Sequence, residues 1–543
     1  MDRADHIIAR YDKLKGERGT WENHWQEIAE RVLPRYSDSF ISPASMLTKG
    51  EKKTEKMFDS TAAIALERFA AAMESMLTPR NSTWHRLSSS NPFLNRDRET
   101  ELWFAEATRI LFSRRYAPEA NYASQQHEVY MGLGAFGTGA MFIDRHDAGG
   151  LRYSSVNLAD IIFAMNHQGV LDTSYRKFTQ TARQMKQRLD SGRYKQIPED
   201  AMKAVEKTPD KPFEVIHCVM PRDDMDPAKS DFRGMSFASF YVSMTDKMIL
   251  SEGGFRQFPY AISRYVTAPG EVYGRSPAMI SLPSIKVLNE QKKTMLKQGH
   301  RVVDPVLLAH DDGVLDTFSL KPGSVNVGGI NAQGQRMVQE LPTGNLAAGQ
   351  ELMDMERAVI NDAFLVTLFQ ILVETPAMTA TEVLERAREK GALLSPTMGR
   401  QQSEMLGPMI ERELDLLVIQ DMLPPLPPAL VEAEGEFDII YDSPLSRSQR
   451  AEEAAGWLRT FESAGAFASM TGDPSALDHF NTDIIIPELS KINAVPPSWM
   501  RGADGVAELR EARAQQAQIQ QAIEVAPAAA GMLKGVGGTN GGN

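Results

Sequence analysis

A single cysteine in 543 residues, Cys218, excludes an intrachain disulfide framework and a multi-thiolate zinc site. Excess positive charge is missing as well: 59 Lys and Arg against 71 Asp and Glu leave a formal net charge of -12. Proteins that grip a DNA sequence concentrate Lys and Arg to neutralise phosphates, so tight sequence-specific DNA binding is disfavoured. No apolar run approaches the ~20 residues of a membrane helix. The longest, Ala363 to Val373, is interrupted by Thr367 and Gln370 and bounded by Asp362 and Glu374. The charged start, Met1-Asp2-Arg3-Ala4-Asp5-His6, has no signal-peptide core. These absences, with 42% hydrophobic and 24% charged residues, predict a soluble globular chain folded in a reducing cytoplasm.

Catalytic signatures are equally sparse. There is no P-loop, H-E-x-x-H, G-x-S-x-G or C-x-x-C. Gly132-Leu133-Gly134-Ala135-Phe136-Gly137 matches G-x-G-x-x-G literally, but a helix precedes it and a strand follows. A dinucleotide site needs the reverse order, so that a helix N-terminus meets the pyrophosphate. Close packing through a glycine turn is the better reading. His217 and Cys218 are neighbours on a strand and point to opposite faces, which argues against a thiolate–imidazole dyad. The acidic run Asp223, Asp224, Asp226 and Asp231 lacks the Gly and distal Glu of a calcium loop. No catalytic residue, cofactor site or metal ligand is assigned, and no enzyme is predicted.

Periodicity predicts an α+β, predominantly helical chain. Ile7, Ile8, Tyr11 and Leu14 make one apolar stripe. Trp21, Trp25, Ile28, Ala29 and Val32 make a second, with Thr20 as its cap. Further helices are expected over about 60–77, 99–113, 116–131 and 179–190. Strands are expected at 140–143, 161–164, 213–220 and 237–242, then 437–441. A helix from Pro283-Ser284 to about Arg301 precedes a Gly-rich stretch of short β-like runs. Leu346 to about Phe369 is then a second long helix, so the two form an antiparallel stalk with a small tip module. Thr379-Ala380-Thr381-Glu382 has capping-box spacing and opens another helix. Helix follows over 401–421 and in a last block over 445–523.

The stalk is charged asymmetrically. Its first helix holds Lys286, Lys292, Lys293, Lys297 and Arg301 against Glu290. The second holds Glu351, Asp354, Glu356 and Asp362 against Arg357. Two solvated faces would explain this, as would helices facing each other within a chain or between subunits. On the second helix Glu351, Asp354, Ala358 and Asn361 share one stripe. Leu352, Met355, Val359, Ala363 and Val366 share a neighbouring apolar one, expected to pack on the first helix or on an adjacent subunit.

Several stretches, in order, resemble the portal (head-to-tail connector) proteins of short-tailed bacteriophages. They are Trp21 to Ala29 with Leu33-Pro34-Arg35, Asp59-Ser60-Thr61-Ala62 through Pro79, Gly132 to Gly139, Tyr273 to Ala278, Leu288-Asn289, Asp304-Pro305 and Thr379 to Glu382. The resemblance implies a homo-oligomeric ring, typically of about twelve subunits, at one capsid vertex. It implies a wing over 1–275, stem helix 1 over 276–303, a clip over 304–343 and stem helix 2 over 344–369. A tunnel loop (about Gln370 to Met378) and return through the wing would span 370–443, a crown 444–525 and a flexible tail 526–543. The implied partners are the major capsid protein and scaffold, transiently the terminase large subunit, tail adaptor proteins, and double-stranded DNA passing non-specifically; no membrane and no cofactor are implied. The implied location is the virion portal vertex, with host cytoplasm during assembly. Glu351, Asp354 and Asn361 are candidates to face the channel. Lys286, Lys293, Lys297, Arg301, Glu356 and Asp362 are candidates for contacts between stem helices or subunits. Two rival classes remain: a scaffold or tail adaptor, though a scaffold would lack the mixed strands and an adaptor would usually be shorter, and a cryptic enzyme, for which the sequence offers no constellation of nucleophile, base and oxyanion donors. Truncation after Gly531 is expected to leave ring formation intact by light scattering, because the Gly-rich tail offers little apolar surface to offset its ordering entropy.

Overall fold

The computed structural model describes residues 3–41, 50, 53–309, 319–342, 346–367, 396–432, 436–442, 444–492, 495, 499–502 and 505–519. Its first elements are α1 (Arg3–Glu17), α2 (Gly19–Val32), α3 (Thr61–Leu77), β1 (His85–Ser88), α4 (Arg98–Arg115) and α5 (Tyr122–Phe136). Then come β2 (Thr138–Arg145), β3 (Leu151–Val156), β4 (Ile161–Met165), β5 (Leu171–Thr181), α6 (Ala182–Asp190) and α7 (Glu199–Lys207). Strands β6 (Pro212–Pro221), β7 (Phe237–Ser243), β8 (Met248–Phe255) and β9 (Tyr260–Arg264) lead to α8 (Pro277–Val303). After β10 (Leu307–Ala309), β11 (Val338–Glu340) and α9 (Leu346–Ala363), the chain reaches α10 (Gly407–Ile419) and α11 (Pro428–Glu432). It continues through β12 (Asp438–Tyr441), α12 (Pro444–Thr471) and α13 (Thr482–Ile492), and is helical again at 505–519. The α+β class holds. The capping box at Thr379, the tunnel-loop stretch and the Gly-rich tail lie outside the described residues.

The chain divides into two units, 1–82 with 114–420, and 83–113 with 421–543. In the first, β4-β5-β6-β7-β8 form an antiparallel meander and β3-β2-β9 a smaller antiparallel sheet. Alternation along β6 builds two cores, as period-two strands must. Ile216 and Cys218 point toward Ala4, Ile7 and Tyr11 of α1, while Phe213 and Val215 pack on Met185, Ala201 and Ala204 of α6 and α7. Trp25 of α2 is fully buried, donates its indole N–H to the Phe136 carbonyl at 3.1 Å and meets Tyr273 edge-on at 5.0 Å. Arg18, between α1 and α2, pairs with Glu22 and donates to the carbonyls of Leu158 and Ala159 at 3.0 and 3.1 Å. Behind the small sheet, fully buried Arg115 forks onto Glu413 of α10, and the Tyr153 hydroxyl donates to the same carboxylate. A buried pair like this orients more than it stabilises, because both charges lose water.

In the second unit, β1 pairs antiparallel with β12, His85 opposite Tyr441. Arg98 donates to the Met500 carbonyl at 2.8 Å, and Trp103 to the Pro424 carbonyl at 3.1 Å. Trp457 stacks on Phe461, which meets Phe480 edge-on at 5.4 Å.

Several boundaries differ from expectation for local reasons. Residues 116–121 turn rather than continue a helix, because Asn121 sits in the left-handed region at φ 59° ahead of α5. Residues 179–181 finish β5, and the Thr181 capping box with Gln184 starts α6 there. Thr20 lies inside α2, which begins at Gly19 without a side-chain cap. Helix α9 stops at Ala363, where Leu365 adopts φ 59°; residues 366–367 are helical again and 368–369 lie outside the described residues. Over 401–421 the helix is interrupted by a π-helical turn, Gln402–Leu406, and α10 ends at Ile419.

His217 bears out the separation from Cys218. Its ring stacks on Tyr241 at 4.3 Å, with Nδ1 3.1 Å from the Tyr260 hydroxyl and Nε2 2.9 Å from Ser239 Oγ. Burial, then the charges of Arg176 and Arg188, pushes its pKa down to about 3. A histidine kept neutral in the fold gives full stability above its unfolded pKa near 6.5 and loses it as pH falls toward 3. Thermal melts from pH 7.5 to 4 are therefore expected to show His217→Gln losing less stability with acid than the parent. The difference should reach about 1.4 kcal/mol per pH unit below pH 6.

Candidate functional site: a helical hairpin and its anchor

Helix α8 starts at a tightly built root. Ser276 Oγ accepts the Met279 N–H at 2.9 Å and donates to the Ala135 carbonyl at 2.8 Å, and Pro277 takes the first helical position. This start lies six residues before the expected Pro283, which sits inside the helix. Immediately upstream, Gly274 backs onto Gly137, and a Cβ on either would strike the other's carbonyl. Gly137 has φ 75° and closes α5, as a C-terminal glycine does. One turn earlier, a Cβ on Gly134 would come within 2.5 Å of Leu66 and 2.8 Å of Phe69 on α3. The Gly-x-Gly-x-x-Gly run is thus a packing device that lets α3 and the root of α8 approach α5.

Only the near half of α8 is buried: Ala278, Met279, Leu282, Ile285, Leu288 and Asn289, with no buried residue beyond. On α9 the buried residues are Met353 and Ile360. One short segment, Phe58-Asp59, ties both helices to the start of α3. The backbone N–H groups of Phe58 and Asp59 donate to Asn289 Oδ1 at 2.7 and 3.1 Å, and Asn289 Nδ2 donates to the Ile285 carbonyl at 2.9 Å. The Asp59 carboxylate accepts Arg357 Nη2 at 2.7 Å and the Thr61 N–H at 2.9 Å. Arg357 also donates to Asp354 at 2.8 Å. Burial alone would raise the Asp59 pKa; the bonds from Thr61 and Arg357 outweigh it and hold the carboxyl below its ordinary value. The clamp is therefore charge-assisted at neutral pH and weakens as acid protonates Asp59.

Farther out, Gly349 of α9 lies against the Met295 thioether of α8. Since Arg357 and Asn289 meet at Asp59 while Gly349 meets Met295, the helices run antiparallel, with Lys293 level with Glu351. An open groove of ≈ 580 Å³ follows their junction, lined by Val287, Gln291, Met295 and Leu352 among others. Beyond the hairpin, β10 and β11 pair antiparallel, Leu307 opposite Glu340. Val325 and Val327 are not a strand and are largely exposed.

The predicted residues are not brought together within the chain. Lys286 reaches Glu27 of α2 at 2.6 Å, and Lys293 pairs with Glu290 on its own helix at 3.6 Å. Lys297, Arg301 and Glu351 are exposed, Glu356 and Asn361 half-buried, and Asp362 accepts the Thr367 hydroxyl at 2.7 Å. Asp354 is held by Arg357. Among the described residues no ion pair joins α8 to α9. Of the expected apolar stripe, Leu352, Met355 and Val359 are 53%, 64% and 51% exposed within the chain, Ala363 is half-buried and Val366 is buried. What packs is the Gly349, Met353 and Ile360 stripe. Sequence reasoning missed Asn289 and Asp59 as a clamp, although Asp-x-Thr at a helix start is a capping signal. The acidic 223–231 loop serves its own turns, Asp226 accepting from Ala228 and Asp231 from Arg233. Among the described residues, no group of three His, Cys, Asp or Glu side chains is arranged to hold a metal, and no helix is long and apolar enough to cross a membrane.

The chain is thus a two-unit α+β protein whose helical hairpin is clamped at its base and, among the described residues, exposed in its outer half. Residues 4–500 match the family described as bacteriophage head to tail connecting protein, and the chain belongs to that family. It is 29% identical over 526 residues to a probable portal protein of Bordetella phage BPP-1, covering 95% of this chain and 92% of the relative. It is 28% identical over 538 residues to the portal protein of Salmonella phage epsilon15, covering 97% and 94%.

Asn289→Ala strands two N–H groups at the clamp, and such loss costs about 1–3 kcal/mol. Urea denaturation is expected to show that loss, with faster proteolysis of the hairpin, while Ser60→Ala, at an exposed neighbouring position, stays near the parent.

Proposed function

We propose that this chain is the portal subunit of a short-tailed phage: a structural, non-catalytic protein that closes into a ring at one capsid vertex. The ring nucleates head assembly with the major capsid protein and scaffold, and transiently docks the terminase large subunit. It later joins tail adaptors and conducts DNA in both directions. The observation that carries this reading is a hairpin fixed at its base whose outer half, among the described residues, is left largely exposed. Family membership supports it, and so does full-length similarity to two proteins named as portals. In this reading α8 and α9 are the stem, the segment between them the clip, and 444–525 the crown. Negative-stain images and light scattering are expected to show rings with a central hole, typically of about twelve copies; monomers or dimers at all concentrations would refute the reading.

Within the ring, the α9 stripe of Glu351, Asp354 and Asn361 borders the DNA path and keeps phosphates from binding. A channel that must let DNA slide gains nothing from cations that hold it. Replacing Ala358 and Asn361 with Lys adds cations to that stripe without touching the Asp59 clamp. Rings are expected to form normally while packaging and ejection slow; unchanged DNA passage would remove the stripe from the channel wall.

A further inference from the structure

We infer that the outward edge of α8 and the outward edge of α9 are the two halves of one electrostatic seam, the partner being a second copy of this chain. The inference rests on the ring reading and names the surface that closes it. A helix turns about 100° per residue, so two residues from a contact is about 200° round, close to the opposite side. Lys293 and Lys297 flank Met295 by two on either side, so both point away from α9. Glu351 follows Gly349 by two, so it points away from Met295 of α8; Met355 and Asp362 lie two residues past buried Met353 and Ile360, which share the Gly349 stripe, so they point to the same outer side. One edge of the hairpin is therefore cationic and the opposite edge anionic.

Little of either edge is neutralised by its own body. Lys293 pairs with Glu290 on its own helix at 3.6 Å and lies 5.5 Å over the Phe58 ring, while Lys297, Arg301 and Glu351 form no ion pair among the described residues. Because Lys293 is level with Glu351, copies standing side by side in the same orientation bring that pair together at matching height, with Lys297 farther out and Asp362 nearer the base adding to the field of each edge. Joining like edges about a two-fold axis would set Lys against Lys. The charges thus favour a heterologous contact, the kind that closes rings when repeated by rotation. Met355, 64% exposed on the anionic edge, supplies apolar area between the charges.

The test uses full-length chains. One variant carries Lys293→Glu and Lys297→Glu, so both of its edges are acidic. The other carries Glu351→Lys and Asp362→Lys, so both are basic. Circular dichroism and melting confirm that each is folded. Alone, each is expected to lose rings by about ten-fold or more at concentrations where the parent assembles, because like charges meet at every seam. Mixed in equal amounts, they are expected to recover rings, as is one chain carrying all four changes. Unimpaired assembly of either variant alone overturns the seam while the ring reading stands. So does failure of both the mixture and the four-fold chain to recover rings. A parent chain that never forms rings removes the ring reading, and the seam with it.

Discussion

Asp59 is the point on which the hairpin depends. Its backbone and that of Phe58 satisfy Asn289 on α8, and its carboxylate holds Arg357 on α9, so one segment ahead of α3 fixes two helices that sequence places far from it. The Gly137–Gly274 approach does the same for the root of α8, at a separation that only glycine permits. Between these anchors the helix ends are set by backbone and by short polar side chains, which tolerate little displacement. Beyond Asn289 no described residue of α8 is buried.

That exposure has an energetic consequence. Leu352, Met355 and Val359 on α9 and Leu296 and Val303 on α8 are exposed apolar side chains, and burying one fully is worth about 1.5–3 kcal/mol. The chain alone leaves this unrealised; the ring proposed here would recover it at each interface. Separating anchor from interface also keeps tasks apart, because the clamp is polar and charge-assisted while the outer half offers apolar area and uncompensated charge. Family membership makes the chain a bacteriophage head to tail connecting protein, and in the ring proposed here such contacts would repeat at every interface.

Much of this was legible in the sequence, for identifiable reasons. The long helices showed because their apolar spacing persists over several turns, and Cys218 and His217 separated because strand neighbours must. The reversed order around Gly132–Gly137 pointed to the close glycine packing that the structure shows. Strands β5 and β8 were harder, since Ser, Thr, Lys and Gly fill positions that expose one edge or face. The pairing of β1 with β12 joins segments about 350 residues apart, which no local pattern carries. The stalk's charge asymmetry was visible, but its meaning was not. Only the Met295–Gly349 contact shows that the basic and acidic faces turn away from each other, and only the Asp59 hydrogen bonds show what Asn289 and Arg357 hold.

Hydrogen–deuterium exchange on monomeric and assembled protein tests the central claim, that the hairpin is anchored by its own chain and covered by its neighbours. The side chains of Lys297 and Glu351 lie on the half that the neighbours should cover. The account predicts that amides of 278–289 are protected equally in both states, while those of 290–303 and 346–356 slow markedly only on assembly. Equal protection of the outer half before and after assembly would contradict it.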